Sequence, residues 1–284
     1  MAEESRADLL WRAIENALAQ DGVESEVVIV VNGKRFDPEL FAQLKSDKRL
    51  IVSYLEEGNV SLARYHGVKQ SAGTYFGFLD DDDEYLPNAL SVRVAEMQRN
   101  PNADVVVTNG YIHYDVDEPL VDDAFTKTIQ DDSLLSFLEK NWFASPASLF
   151  RTKSVPADIF EIRLKYFEWS YLFFKLYLLN KKITFTRSLT YRIYKDNPLS
   201  VSKSLDYALA YPEFLLDLYA LPLPERVRKR IRRKYQTALN VISNLHLREG
   251  DIKAAFRYHV KCLMNGGWRF LPYTRKILAN LIGR

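Results

Sequence analysis

Cysteine is nearly absent: Cys262 stands alone among 284 residues. A lone cysteine excludes an internal disulfide and fits a reducing compartment. Its place in a helical pattern reads as a small core residue rather than a nucleophile. Histidine is almost as scarce. His66, His113, His246 and His259 are scattered, none stands where imidazole ligation would be expected, and each reads as a surface or half-buried residue. No apolar run reaches the roughly 18 residues a membrane-spanning helix needs. The nearest, from Tyr171 to Leu179, is short and carries Lys175. The opening Met1-Ala2-Glu3-Glu4-Ser5-Arg6 has no apolar signal core. Together these absences set a cytoplasmic expectation. Net charge is small as well: 39 basic against 37 acidic residues leave +2, which says little about partners. There is no internal repeat and no low-complexity segment.

What is present suits a folded enzyme-sized chain. Hydrophobic residues make up 47% and charged residues 27%, enough for one good-sized core or a domain with an appendage. Ser5 and Asp8 form a capping pattern ahead of the helical stripe Leu9, Leu10, Ala13, Ile14, Ala17, Leu18. Val27 to Val31 is a continuous β-branched run, the pattern of a strand buried on both faces of a parallel sheet. A helix from Pro38 to Leu44, a strand from Leu50 to Tyr54 and a helix from Ser61 to Ala72 follow, with Gly73 as its stop. The strand ending at Asp80, a helix from Asn88 to Arg99 and a strand from Asp104 to Thr108 continue the alternation, which predicts a βαβ architecture. Asp115 to Asp123 reads as a solvated acidic loop, Glu168 to Leu179 as an apolar helix, and Ile183 to Phe185 as a short strand. Beyond Ser204 the pattern is helical throughout, so residues 1–204 and 205–284 are expected to be separate domains.

The most informative stretch runs from Thr74 to Asp83, where an apolar strand ends in four successive carboxylates. In open α/β sheets, ligands bind beyond the carboxyl ends of the strands. An extended chain would send Asp80 and Asp82 one way and Asp81 and Asp83 the other. Two carboxylates on one side, roughly 6 Å apart at an effective dielectric of about 20, repel by ~3 kcal/mol. A divalent cation removes that cost, and hard oxygen ligands suit Mg2+ or Mn2+. A solvated acidic turn would have the same composition and would need no ion.

These residues resemble glycosyltransferase family 2, whose fold is the GT-A type, mostly parallel α/β. Asn59, Ala63-Arg64, Gly67, Ala72-x-Gly73, Phe78-Leu79-Asp80-Asp81-Asp82-Asp83 and Pro87 fall in step with the family pattern. Phe167-Glu168-Trp169 is similar to the segment that carries the catalytic base, and Tyr191-Arg192 with Ser200 and Ser202 to the element that closes over the donor. The resemblance covers roughly residues 6 to 204. It implies an inverting transfer from a nucleotide sugar, a UDP-sugar foremost, to a glycan, lipid-linked or protein acceptor. It further implies metal ligation by Asp80 and Asp82, donor contacts from Asn32, Arg64, Asp80, Asp81, Trp169 and Arg192, and Glu168 as general base.

The pattern departs from the family at four points. Its first buried strand is missing, and losing a central strand leaves backbone groups costing about 1–3 kcal/mol each if buried. Either the sequence starts late, another segment fills the gap, or the nucleotide pocket is degraded. Asn32-Gly33 replaces paired aspartates, Phe167-Glu168 replaces an acid pair, and Tyr194 stands where a histidine often joins the metal. A degraded, scaffold-like relative is therefore a second expectation. A third comes from Arg226, Arg228, Lys229, Arg230, Arg232, Arg233 and Lys234, which surround the stripe Val227, Ile231, Tyr235. That basic helix suits either anionic lipid or the solvated back of a packed helix. Nucleic acid is disfavoured, since no recognised binding motif accompanies it.

Overall fold

The computed structural model describes residues 6–195 and 204–282, and the chain divides into two compact units, Met1–Asn197 and Pro198–Arg284. The sequence places the break a few residues later, after 204. In the first unit, helix α1 (Arg6–Leu18) precedes strand β1 (Val27–Asn32), helix α2 (Pro38–Ser46), strand β2 (Leu50–Leu55) and helix α3 (Val60–Gln70). The starts of α2 and α3 have a local cause. The Asp37 carboxylate accepts the Glu39 and Leu40 N–H groups at α2, and the Asn59 side-chain oxygen accepts the Leu62 N–H at α3.

β1 and β2 pair in parallel from Val27 opposite Leu50 to Asn32 opposite Leu55, as the alternation predicts. They remain a two-stranded sheet of their own. Among the described residues no strand pairs with the other edge of β1, and its residues are all half-buried rather than buried on both faces. The expectation of full burial is thus corrected, because a strand with one neighbour keeps an open flank.

The second sheet has six strands. β3 (Tyr75–Gly77), β7 (Ser148–Arg151), β5 (Val105–His113), β8 (Ile183–Tyr194) and β4 (Glu84–Tyr85) lie in that order, and β6 (Asp117–Pro119) pairs with β5. Parallel pairing holds for β5 with β8, whereas β3–β7, β5–β7, β4–β8 and β5–β6 are antiparallel. Helix α4 (Ala89–Arg99) joins β4 to β5. Helices α5 (Asp123–Asp131) and α6 (Ser133–Glu139) follow β6, and α7 (Glu168–Leu178) precedes β8. Three expected elements differ, the first being β3, which stops at Gly77 rather than Asp80. The acidic loop contributes β6 to the sheet, and β8 is a twelve-residue strand rather than a short one.

The interior of this unit is aromatic. Phe76 of β3 stacks on Phe150 of β7, and Phe78, Phe160, Phe143 and Trp169 complete a contiguous cluster. Ring pairs of this kind add about 0.5–1.5 kcal/mol beyond the area they bury. The cluster joins the end of β3 to the start of α7, and so fixes the spacing of these two segments. Arg93 of α4 is fully buried. Its guanidinium lies over the Tyr85 ring and donates to the Thr190 hydroxyl at 2.7 Å, tying α4 to β8.

The second unit is helical: α8 (Leu205–Ala220), α9 (Glu225–Arg248), α10 (Ile252–Met264) and α11 (Tyr273–Ile282). Of the helical stripe Val227, Ile231, Tyr235, Ala238, Ile242 and Leu245, all but the half-buried Leu245 are buried, and Leu239 joins them. No helix among the described residues is long and apolar enough to cross a membrane.

A candidate active site at the acidic turn

β3 ends at Gly77, and the backbone then leaves the sheet through Phe78 and Leu79. Asp81 and Asp82 occupy a turn closed by the Asp83 N–H donating to the Asp80 carbonyl at 3.1 Å. The expected extended alternation is therefore corrected: a turn, not a pleat, distributes the carboxylates. They receive four different environments. Asp80 accepts Arg64 Nη2 on Oδ1 at 3.1 Å and the Ser145 hydroxyl on Oδ2 at 2.8 Å. Asp81 pairs with Arg6 Nε at 2.8 Å on the exposed side. Asp82 makes no salt bridge among the described residues, and burial, followed by Asp81 and Asp80, raises its pKa. Asp83 is only 5% exposed; burial first, then Asp80 and Asp82, push its carboxyl up to about 8.

This donor set fits a hard divalent ion. Asp80 and Asp82 offer carboxylate oxygens in a turn where like charge is undercompensated, which a doubly charged ion would relieve. Among the described residues no three acidic, histidine or cysteine side chains converge as a ready-made cage. Remaining coordination positions would fall to water and phosphate oxygens, the usual arrangement for magnesium.

Asp83 gives a pH prediction. An unfolded aspartate loses its proton near 3.8 and the folded one only near 8, so the native state binds more protons between those values. Stability of the metal-free protein is therefore expected to fall as pH rises from about 4 to 8 and then to level off. Thermal melts across this range should show the decline, and Asp83→Asn should flatten it. An unchanged slope in that variant would assign the effect elsewhere.

The other half of the site comes from α3 and α7. Arg64 Nη1 donates to Glu168 Oε1 at 2.8 Å while Nη2 holds Asp80, so one guanidinium spans the two carboxylates. The Arg64 side chain is 13% exposed and that of Glu168 17%. Burial works against the Arg64 charge, but Asp80 and Glu168 outweigh it and its pKa is raised. The guanidinium also lies 4.9 Å from the Trp169 ring centroid. Trp169 itself is buried, stacked on Phe143, and its indole N–H finds no acceptor among the described residues. Glu168 is the first residue of α7. It follows Phe167, whose φ of +62° is a left-handed conformation that costs a bulky residue about 1–3 kcal/mol. That strain, held by the surrounding core, sets the direction in which α7 begins.

Arg192 and Asn32 lie apart from this bridge. Arg192 donates to both oxygens of Asp117 and to Glu84 Oε2 at 2.7 Å. The Tyr194 hydroxyl donates to the same Glu84 oxygen at 2.9 Å. Asp117, bonded first by Arg192 and then by His113, is held down to about 2. Asn32 ends β1 ahead of Gly33, whose φ is +84° and whose N–H donates to the Leu55 carbonyl. No hydrogen bond joins the Asn32 side chain to the acidic turn among the described residues. Ser200 and Ser202 lie outside the described residues. Four site residues escape sequence reasoning: Ser145, Arg6, Glu84 and Asp117. Each meets its partner across at least 65 positions, with no local pattern to mark it.

The family model for glycosyl transferase family 2 matches residues 3–199, so the chain belongs to glycosyltransferase family 2. An uncharacterized glycosyltransferase of Rickettsia typhi is 33% identical over 105 residues, 37% of this chain and 33% of its own length. The succinoglycan biosynthesis protein ExoO of Rhizobium meliloti is 32% identical over 110 residues, 38% of this chain and 31% of its own. The chain thus spans about a third of the length of these curated relatives. Among solved structures, S. aureus TarS residues 1–349 in complex with UDP-GlcNAc aligns at 20% identity with a TM-score of 0.58. That alignment covers 83% of this chain and 69% of TarS 1–349, a likeness of fold.

Proposed function

We propose that this chain transfers a sugar from a nucleotide-sugar donor, a UDP-sugar foremost, to a hydroxyl of a glycan, lipid-linked or protein acceptor, in one inverting displacement. The observation that carries the reading is the Arg64 bridge between Asp80 and Glu168, which holds the ion-binding turn and a candidate base at opposite ends of one guanidinium. The UDP-GlcNAc complex of TarS and the biosynthetic role in the name of ExoO support it.

In this reading Asp80 and Asp82 hold Mg2+ or Mn2+. A bound ion would supply Lewis-acid neutralisation of the departing diphosphate's charge. Arg64 adds positive charge on the same side and keeps Glu168 oriented. Glu168 takes the proton of the acceptor hydroxyl as its oxygen bonds to the anomeric carbon, while the bond from that carbon to the diphosphate oxygen breaks. Asp81 and Asn32 belong to the donor side. Trp169 acts from beneath, by packing against Arg64. Arg192, held by Glu84 and Asp117, contributes as a positioned cation at the edge of the donor site.

The test is release of nucleoside diphosphate from UDP-sugars with Mn2+, comparing the parent with Asp82→Ala. Losing the several kcal/mol that a Lewis acid supplies predicts a fall of roughly a hundredfold or more. Equal rates with and without Asp82 would sink the metal role. No turnover by either protein across a panel of donors would favour the scaffold reading.

A further inference from the structure

The second unit carries a cleft that the sugar-transfer reading does not use. It has a volume of about 410 Å3 and is lined by Lys229, Arg232, Arg233, Gln236, Gly266 and Arg269. Lys229, Arg232, Arg233 and Gln236 stand at i, i+3, i+4 and i+7 of α9, so they share one face of that helix. The fourth cation arrives from the turn after α10, and that turn is firmly held. Gln236 Nε2 donates to the Asn265 carbonyl at 2.8 Å, and Arg269 Nη2 donates to the Arg233 carbonyl at 2.9 Å and the Thr237 hydroxyl at 2.7 Å. Gly266 adopts φ of +82°, and Gly267 packs so closely on Cys262 that a Cβ would collide with its sulfur.

Four cations converge there and no carboxylate lines the cleft. None of the four makes a salt bridge among the described residues. A concave cluster of one sign without counter-charge is a seat for an anion, and guanidinium groups match phosphate oxygens in geometry. The same turn exposes apolar side chains: Met264 is 80% exposed, Trp268 64% and Leu271 51%. A soluble phosphate compound gives these side chains nothing to bury against, whereas a bilayer interface accommodates tryptophan and apolar groups beside cations.

We propose that this cleft seats the headgroup phosphate of an anionic phospholipid, with Trp268, Met264 and Leu271 entering the interface beside it. The inference is independent of the chemistry at the acidic turn. It makes the α9–α10 face a peripheral membrane contact with a defined binding site, rather than a diffuse basic surface.

The experiment is co-sedimentation of the full chain with phosphatidylcholine vesicles, with and without phosphatidylglycerol. Binding is expected only to the anionic vesicles and should fade at high salt. Lys229→Glu with Arg232→Glu should weaken it roughly tenfold or more, and Trp268→Ser should weaken it without changing net charge. Arg230→Glu with Lys253→Glu, an equal charge change outside the cleft lining, should have a much smaller effect. Circular dichroism establishes that each variant keeps its helices. Equal losses from the two charge reversals would overturn the site, as would absence of vesicle binding. Capture of inorganic pyrophosphate or a polynucleotide without vesicle binding would also overturn it, by assigning the cleft to a soluble anion.

Discussion

Glu168→Gln is expected to lower kcat by roughly 10²–10⁴-fold while leaving the KM for the donor close to that of the parent. Glutamine preserves the shape of the side chain, and its carbonyl oxygen still accepts from Arg64 Nη1, so the bridge that positions residue 168 survives. What disappears is the ability to take a proton from the acceptor hydroxyl as its oxygen attacks. Because that interaction develops in the transition state, kcat and kcat/KM should fall together. A pH profile gives a second readout: the acidic limb of kcat that reports a carboxylate base should vanish in the variant. Steady-state rates within a factor of a few of the parent would remove Glu168 from the reaction.

Arg64→Ala should damage both stability and rate. The guanidinium lies between Glu168 and Asp80, rests on Trp169 and is almost enclosed. Its removal leaves two carboxylates facing each other in a partly desolvated place. Breaking a buried pair by deleting one partner typically costs 3–5 kcal/mol, and the greater exposure of Asp80 argues for the lower end, about 3 kcal/mol. For a domain of this size that is about 6–12 °C in Tm. Glu168 also loses the group that orients it, so the rate should fall as well. Combining Arg64→Ala with Glu168→Gln should cost less than the sum of the two, because the glutamine removes one of the two facing charges and with it their mutual repulsion. A Tm within a degree or so of the parent would show that the bridge contributes little to the fold.

Much of this arrangement is legible in the chain itself. The helical pattern from Ser61 that becomes α3, the β-branched run of β1 and the stripe of α9 are local patterns, and each forms the element it predicts. The run from Phe78 to Asp83 is recognisable by composition, and Glu168 by its neighbours Phe167 and Trp169. Other features are not legible. The reading gives β3 a length that ends at Asp80, yet pairing with β7 covers only Tyr75 to Gly77. The acidic segment at Asp117 looks solvated until Arg192, 75 positions away, reaches it. Ser145 has no motif, and its hydroxyl becomes a ligand of Asp80 only because β7 lies beside β3.

The sequence by itself determined which chemical groups are available and in what local order: four carboxylates after an apolar strand, an arginine one turn into a capped helix, a glutamate at a helix start, and cations at helical spacing on α9. Side-chain periodicity and capping are short-range, so they can be read from neighbours along the chain. Only the tertiary structure decided the state of each group. Asp80 is paired, Asp83 is buried and held near a pKa of about 8, and Arg64 is shared between two acids. Burial and ion pairing depend on residues brought from distant segments, and the free energy of a charge depends on its surroundings far more than on its position in the chain.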